Sequence, residues 1–339
     1  MNKVSKNKIK KLKIKKLTVK NKKEKILVTG GAGFIGSALT KTLAERGSEV
    51  VMIDNFNDYY DPQLKEARIK KFLQGCNFKL YRGDIRDEKL IEKIFKKERP
   101  DKVVHLAAMA GVRNSLLNPK LYADVNIMGS INLLEMAVKY KIKNFVFASS
   151  SSVYGNNKKI PFSESDSVDT PISLYAASKK ADELMAHTYN HIYGLNVTAL
   201  RFFTVYGPWG RPDMALFKFT KNILEKKPIE VYNHGKMSRN FTYIDDIVSG
   251  ILTVLDKCKG YEVMNIGGDK EETLMRFIEV IEENVGKIAK KKMLPIQPGD
   301  VPATVADISK LRKLGWEPKT RIEEGIANFV NWYREYYKI

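Results

Sequence analysis

Tyr175 and Lys179 lie four residues apart in LYAASKKADELMAHTYNHIY, a run with helical periodicity. That spacing puts both side chains on one helix face. An ammonium beside a phenol favours the phenolate, so the pair can serve as a general base near neutral pH. Tyr154 with Lys158 and Tyr232 with Lys236 repeat the spacing, but those stretches carry Gly and Asn and read as turns. Only Tyr175 combines a helical setting with a hydroxyl cluster shortly upstream, Ser149 to Ser152.

A second chemical feature opens the ordered part of the chain, KILVTGGAGFIGSALTKTLAERGSEVVMID, from Lys25 to Asp54. The apolar run Ile26–Val28 reads as a buried strand and meets a turn with Gly30, Gly31, Gly33 and Gly36. An amphipathic helix follows, with Ile35, Leu39 and Leu43 on one face. A second apolar run, Val50–Ile53, ends in Asp54. Strand, glycine turn, helix, strand and acid in this order predict a dinucleotide site. The glycines let the backbone approach a pyrophosphate over a helix N-terminus. Asp54 is placed for the adenosine ribose hydroxyls and would repel a 2′-phosphate, which selects NAD over NADP. The oxidised nicotinamide then adds a second positive charge near Tyr175.

Further elements must position these groups. Short apolar runs at Phe78–Tyr81, Lys102–Ala107, Asn144–Ala148 and Val197–Phe203 alternate with helical segments near Gln63–Leu73, Asp87–Lys97, Asn118–Tyr140 and Leu174–Tyr193. This alternation predicts an α/β fold, a Rossmann-type doubly wound parallel sheet with helices on both faces. The Gly30 turn, Asp54, Asp84, Ala107, Ala108 and the serine run all fall at strand C-termini, the edge where such sheets bind ligands. Beyond the Gly- and Pro-rich TVYGPWGRPD the pattern is mixed. Helices are expected at Ala215–Glu225, Asp245–Leu255, Thr273–Asn284 and Ile322–Tyr336, and strands at Ile229–Tyr232 and Val263–Ile266. The reading is an NAD-binding domain over 25–203 and a smaller α+β substrate lobe over 204–339, which can return elements to the first domain.

The 339 residues carry a net charge of +20, of which +11 falls in residues 1–25, with twelve lysines and one acid, Glu24. The segment 1–24 reads as a solvated, disordered leader, with weak contact to an anionic surface as its other role. It suits neither a signal-peptide core nor a membrane span. Charge confined to a tail, without a binding motif, argues against specific nucleic-acid recognition. Cys76 and Cys258 form no metal or redox motif, and a reducing cytoplasm is the expected location. His187 and His191 are four residues apart, but no third ligand accompanies them, so no metal is expected. His105, inside an apolar strand, reads as a core residue.

TGGAGFIG, the acid at Asp54, GDIRD, HLAA, SSSSVYG, YAASK and RFFTVYGP occur in that order. Together they resemble the extended short-chain dehydrogenase/reductase family of nucleotide-sugar epimerases and dehydratases, from Lys25 to the C-terminus. The resemblance implies NAD held by Gly30, Gly33, Phe34, Ile35, Gly36, Asp54, Asn55, Asp84 and Ile85. Leu106, Ala107, Ala108 and Phe202, with Tyr175 and Lys179, complete that set. It implies a catalytic hydroxyl at Ser150, with Ser151 and Ser152 as substrate-side neighbours. Dehydratases and decarboxylases of the family carry an acid just before V-Y-G; serines there imply simple 4-epimerisation. In that cycle C4 of the sugar is oxidised, the keto sugar turns over, and the hydride returns to its other face.

DNFNDYYDPQLKEARIKKF, the stretch Ala110–Arg113 and TVYGPWGRPDMALFKF are similar to UDP-glucuronate 4-epimerases. On that resemblance Thr204 and Arg211, with Arg113, are the candidates for a sugar carboxylate, which needs charge-assisted donors. Arg239 matches a diphosphate-binding position and Asp300 a uridine-ribose position. Thr304 stands where strict galactose epimerases carry a bulky aromatic, so UDP-glucose and UDP-N-acetylglucosamine are the alternative substrates. Decarboxylation and a non-catalytic NAD-sensing module are the remaining alternatives. The resemblance also implies a homodimer built on the helices near Asn118–Tyr140 and Leu174–Tyr193.

Overall fold

The computed structural model describes residues 23–339; apart from Lys23 and Glu24, the basic leader lies outside the described residues. Six strands form in chain order: β1 (Lys25–Thr29), β2 (Glu49–Asp54), β3 (Phe78–Arg82), β4 (Lys102–His105), β5 (Asn144–Ser150) and β6 (Val197–Phe202). Seven more follow: β7 (Thr204–Tyr206), β8 (Ile229–Val231), β9 (Ser238–Tyr243), β10 (Tyr261–Ile266), β11 (Glu271–Thr273), β12 (Lys291–Met293) and β13 (Ala303–Thr304). The main sheet runs β10-β6-β5-β4-β1-β2-β3, and every pair in it is parallel.

Continuous apolar runs suit this sheet because both faces are covered. Alternate residues serve opposite sides. Ile26, Val28, Val50 and Met52 join a core with Leu39, Leu43, Ile251 and Val254. Leu27, Val51 and Ile53 join another with Ile91, Phe95, Leu133 and Ala186. The helices Phe34–Glu45 and Ile244–Lys257 pack on the first face, and Glu88–Glu98, Gly129–Lys139 and Leu174–Tyr193 on the second. From β1 the sheet extends one way to β2 and the other way to β4. That reversal opens a crevice at the strand C-termini.

The main departures from the sequence reading lie where elements are short. Residues 204–206 and 238–243 are strands, not loop, and β7, β9, β11 and β13 form a second sheet. β7, β11 and β13, of two or three residues, leave no periodicity to read. β9 is buried at four consecutive positions and so does not alternate. The partners are distant in sequence: β7 pairs with β9 and β9 with β11. The strand expected at Val263–Ile266 extends from Tyr261 and lies beside β6 in the main sheet. The helix expected over Asn118–Tyr140 forms from Pro119 to Lys139, with one widened turn inside it, and a separate short helix that the sequence reading did not anticipate precedes it. That short helix is Val112–Leu117, Asn118 leaves helical geometry before Pro119, and the widened turn at Ala123–Met128 precedes Gly129–Lys139.

Candidate active site

A cavity of about 390 Å³ opens at the C-terminal ends of the main-sheet strands. At one end lie Gly30, Gly33, Phe34, Ile35 and Gly36. Gly30 has φ +66°, and a Cβ there would fall 2.8 Å from the Ala107 nitrogen. A Cβ on Gly36 would fall 2.2 Å from the Gly30 carbonyl oxygen. Only glycine lets the turn, its helix and β4 approach so closely. The Phe34–Glu45 helix starts at Gly33 with no side-chain cap, so its first N–H groups and the positive end of its dipole face the cavity. An anionic diphosphate fits that end.

Asp54, Asn55, Asp84 and Ile85 line the same region, as do Leu106, Ala107 and Ala108. Asp54, the residue expected at the adenosine ribose, lines the cavity and is also engaged within the protein. Its Oδ2 accepts from the Ala32 N–H at 3.1 Å and its Oδ1 from the Phe56 N–H at 2.8 Å. The Lys65 ammonium stands 3.5 Å away, and both side chains are buried. The acid therefore braces the glycine turn, and any ribose contact shares its remaining lone pairs. Asp84 accepts from Asn55 and Arg86. Burial alone would raise its pKa, but these hydrogen bonds hold the carboxyl down at about 2.

At the other end the cavity is lined by Ser149 to Ser152, Tyr175, Lys179, Phe202, Thr204 and Arg211. The Ser173 Oγ accepts from the Ala176 N–H and caps the Leu174–Tyr193 helix, which fixes Tyr175 in its first turn. The serine run divides by side-chain direction. Ser149 is buried and donates at 2.6 Å to Glu183, which is itself held in a buried double hydrogen bond by Arg201. Ser150 Oγ accepts from the Ser152 N–H at 3.1 Å and stays on the cavity side. The Tyr175 ring meets Tyr122 edge-on, with centroids 6.2 Å apart. The Tyr122 hydroxyl is anchored by donating to the Ala110 carbonyl.

The Arg211 guanidinium reaches the cavity in a two-point ion pair with Asp213, with Nε 2.9 Å from Oδ1. It also lies over the Tyr59 ring at 5.6 Å. Burial would lower the Arg211 pKa; Asp213 more than offsets this and raises it. Burial and the Asp213 carboxylate push the Tyr59 phenol up to about 12.

Arg113, Arg239, Asp300 and Thr304 do not line this cavity and gather beside it. Arg113 pairs with Asp300 at 2.8 Å and lies over Tyr232. Arg239 donates to the carbonyls of Ser238, Val301 and Pro302, and burial lowers its pKa. Thr304 pairs with Arg239 across β13 and β9. These residues are drawn together because the 294–302 segment crosses the Val112–Leu117 helix, with Gly299 against Val112.

Several cavity residues escaped the sequence reading, among them Asn57, Tyr59, Lys65, Asp213 and Met214. The polar, aromatic loop DNFNDYYDPQLK and the R-P-D triplet were their only signals. His105 is a core residue, bonded to Thr29 and Ser130 and pushed down to about 3 by burial and then by Lys179. Among the described residues no group of three or more His, Cys, Asp or Glu could hold a metal, and no helix is long and apolar enough to cross a membrane.

Comparison with known proteins agrees with this geometry. Residues 26–267 match the model of the NAD dependent epimerase/dehydratase family. The UDP-glucuronate 4-epimerase of Thermodesulfobacterium geofontis is 47% identical over 311 residues, covering 91% of this chain and 96% of that protein. The crystal structure of the Bacillus cereus UDP-glucuronic acid 4-epimerase, with UDP-glucuronic acid and NAD, superposes with a TM-score of 0.87 at 36% identity, over 92% of this chain and 100% of that one. The Thermotoga maritima UDP-glucose 4-epimerase, with UDP-glucose, gives a TM-score of 0.85 at 34% identity, over 92% and 99%. NAD is the cofactor, and the glycine turn with its uncapped helix is the part of the cavity that suits it. The chain is an epimerase and belongs to the NAD-dependent epimerase/dehydratase family.

Proposed function

We propose that this epimerase acts on a UDP-sugar at C4 and that its substrate is UDP-glucuronate, with UDP-galacturonate as product. The observation that carries the reading is one cavity holding Ser150, Tyr175 and Lys179 together with Thr204 and Arg211. Tyr175 takes the proton of the 4-hydroxyl and later returns one, while the Ser150 Oγ holds that hydroxyl in line. Lys179, from the same helix face, favours the phenolate and lies where it can hold the nicotinamide ribose. NAD, when bound, supplies the hydride acceptor and donor. The uncapped N–H groups near Gly33 hold its diphosphate, and Asp54 and Lys65 frame the adenosine end. The residues before Val153 are serines, so no carboxylate is placed there to eliminate water.

Arg211 and Thr204 supply charge-assisted and neutral donors for the sugar carboxylate. A second reading, a neutral hexose such as UDP-glucose, draws support from Asp213, whose carboxylate already satisfies two donors of Arg211. Incubation with UDP-glucuronate and with UDP-glucose, with chromatographic resolution of products, separates the two. UDP-galacturonate as the favoured product supports the proposal, and turnover of UDP-glucose alone overturns it. Arg211→Ala should then lower kcat/KM for UDP-glucuronate roughly tenfold or more, the loss of about one charged hydrogen bond, and spare any UDP-glucose activity. We also infer a homodimer, because Leu116, Leu117, Leu184, Ile192 and Tyr193 are exposed on the Val112–Leu117 and Leu174–Tyr193 helices.

A further inference from the structure

Behind the cavity, on the protein side of Lys179, sits a carboxylate that the epimerisation scheme does not use. Asp182 is one turn along the same helix, and its Oδ2 accepts from the Lys179 ammonium at 3.2 Å. The side chains are only 3% and 1% exposed. Asp182 also borders a small internal void with His105, Ser130 and Phe147. Its other oxygen, Oδ1, has no partner in good hydrogen-bond geometry, and the neighbouring Ser130 hydroxyl donates to the Asn126 carbonyl. A buried acceptor without a donor weakens a fold, and a buried ion pair is poor evidence of stabilisation. Its distinctive consequence is electrostatic, acting on Lys179.

We propose that Asp182 is a positioning residue that holds the Lys179 ammonium at the cavity wall and offsets part of its charge, so that it sets the pH range over which Tyr175 works as a base. This rests on the reading of Tyr175 as the base. An unpaired ammonium would favour the phenolate more strongly; the Asp182 carboxylate moderates that field.

The other charged and titratable groups around Asp182 have partners of their own or stay neutral. Glu183, its neighbour on the helix, is fixed by Arg201 of β6 and by Ser149 of β5. Tyr261 of β10 donates its hydroxyl to the Glu183 carbonyl, and burial raises that phenol far above neutrality. His105 of β4, pushed down to about 3, stays neutral. Ser130, from the Gly129–Lys139 helix, carries no charge. Burial pushes the Asp182 carboxyl up to about 6, against the opposing pull of Lys179.

The test is the pH profile of kcat/KM for the holoenzyme, with whichever UDP-sugar the parent turns over. Asp182→Asn keeps the shape and removes the charge. Its acid limb should move to lower pH by about half a unit or more, with KM unchanged. Asp182→Ser carries the same expectation and stands in should the Asn variant fail to fold. Profiles that superimpose on the parent's overturn the inference and leave Asp182 a structural residue. Tyr175→Phe is run alongside. An inactive Tyr175→Phe with an unshifted Asp182→Asn rejects only the role of Asp182, whereas an active Tyr175→Phe rejects the base reading and this inference with it.

Discussion

At the residue scale, neighbouring serines of one type do different work because of where their side chains point. Ser149 and Ser150 are adjacent on β5, and period-two alternation sends them apart. Ser149 is bound to Glu183 in a buried network with Arg201 and Tyr154, and Ser150 stays with the cavity. Ser149→Ala should therefore lower unfolding stability by about 1–3 kcal/mol with little change in kcat. Ser150→Ala should cost about 1 kcal/mol at most, for its bond from the Ser152 N–H, and lose kcat by about a hundredfold or more. Urea unfolding and steady-state kinetics on both variants check this, and the opposite pairing of effects would move the catalytic hydroxyl to Ser149. Four consecutive serines cannot be ranked from sequence. Direction is decided by the strand's pairing with β4 and β6.

At the element scale, the glycine turn and its helix were fully legible, since the constraint is local. Each glycine is needed for an approach within a dozen residues or to the adjacent strand. Gly36 is the tightest, with the Gly30 carbonyl oxygen 2.2 Å from the place of a Cβ. Gly36→Ala must push the helix N-terminus off the turn and spoil the diphosphate end of the cavity. The purified variant should carry markedly less NAD than the parent, measured by release of bound nucleotide after denaturation. Full occupancy would show that the turn can yield. The N-terminal ends of the Glu88–Glu98 and Leu174–Tyr193 helices were legible for a similar local reason: Asp87 and Ser173 cap them. The short helix Val112–Leu117 was not, because Gly111 at φ +101° and the turn before Pro119 serve contacts with Tyr59 and Tyr122.

At the scale of the whole molecule, the second lobe is joined to the sheet rather than appended to it. Arg68 is fully buried and donates to the carbonyls of Ala32, Trp209 and Gly210, tying the glycine turn to the segment that carries Arg211. Asp246 accepts from the Lys319 and Thr320 N–H groups at 3.0 Å and holds the approach to the last helix. The outer face of the Leu174–Tyr193 helix, by contrast, leaves Leu184 58% and Ile192 60% exposed, the pattern of an interface. Light scattering should give twice the chain mass, and Leu184→Glu should reduce it to the monomer. A monomeric parent at micromolar concentration would withdraw the homodimer.

The sequence by itself determined the parts of this protein that local rules govern. These are the nucleotide-binding strand-turn-helix, the parallel sheet implied by alternating runs, and the Tyr175–Lys179 spacing on one helix face. Only the tertiary structure decided the rest. It turned Ser149 away from Ser150, engaged Asp54 with the turn it follows, and paired Arg211 with Asp213. It also set Arg113, Arg239 and Asp300 in a cluster beside the cavity and seated Asp182 against Lys179. The reason is physical: the direction of a side chain and the partner of a charge depend on the groups that packing leaves around it, whether two residues away, as for Arg211 and Asp213, or on a distant segment, as for Arg113 and Asp300.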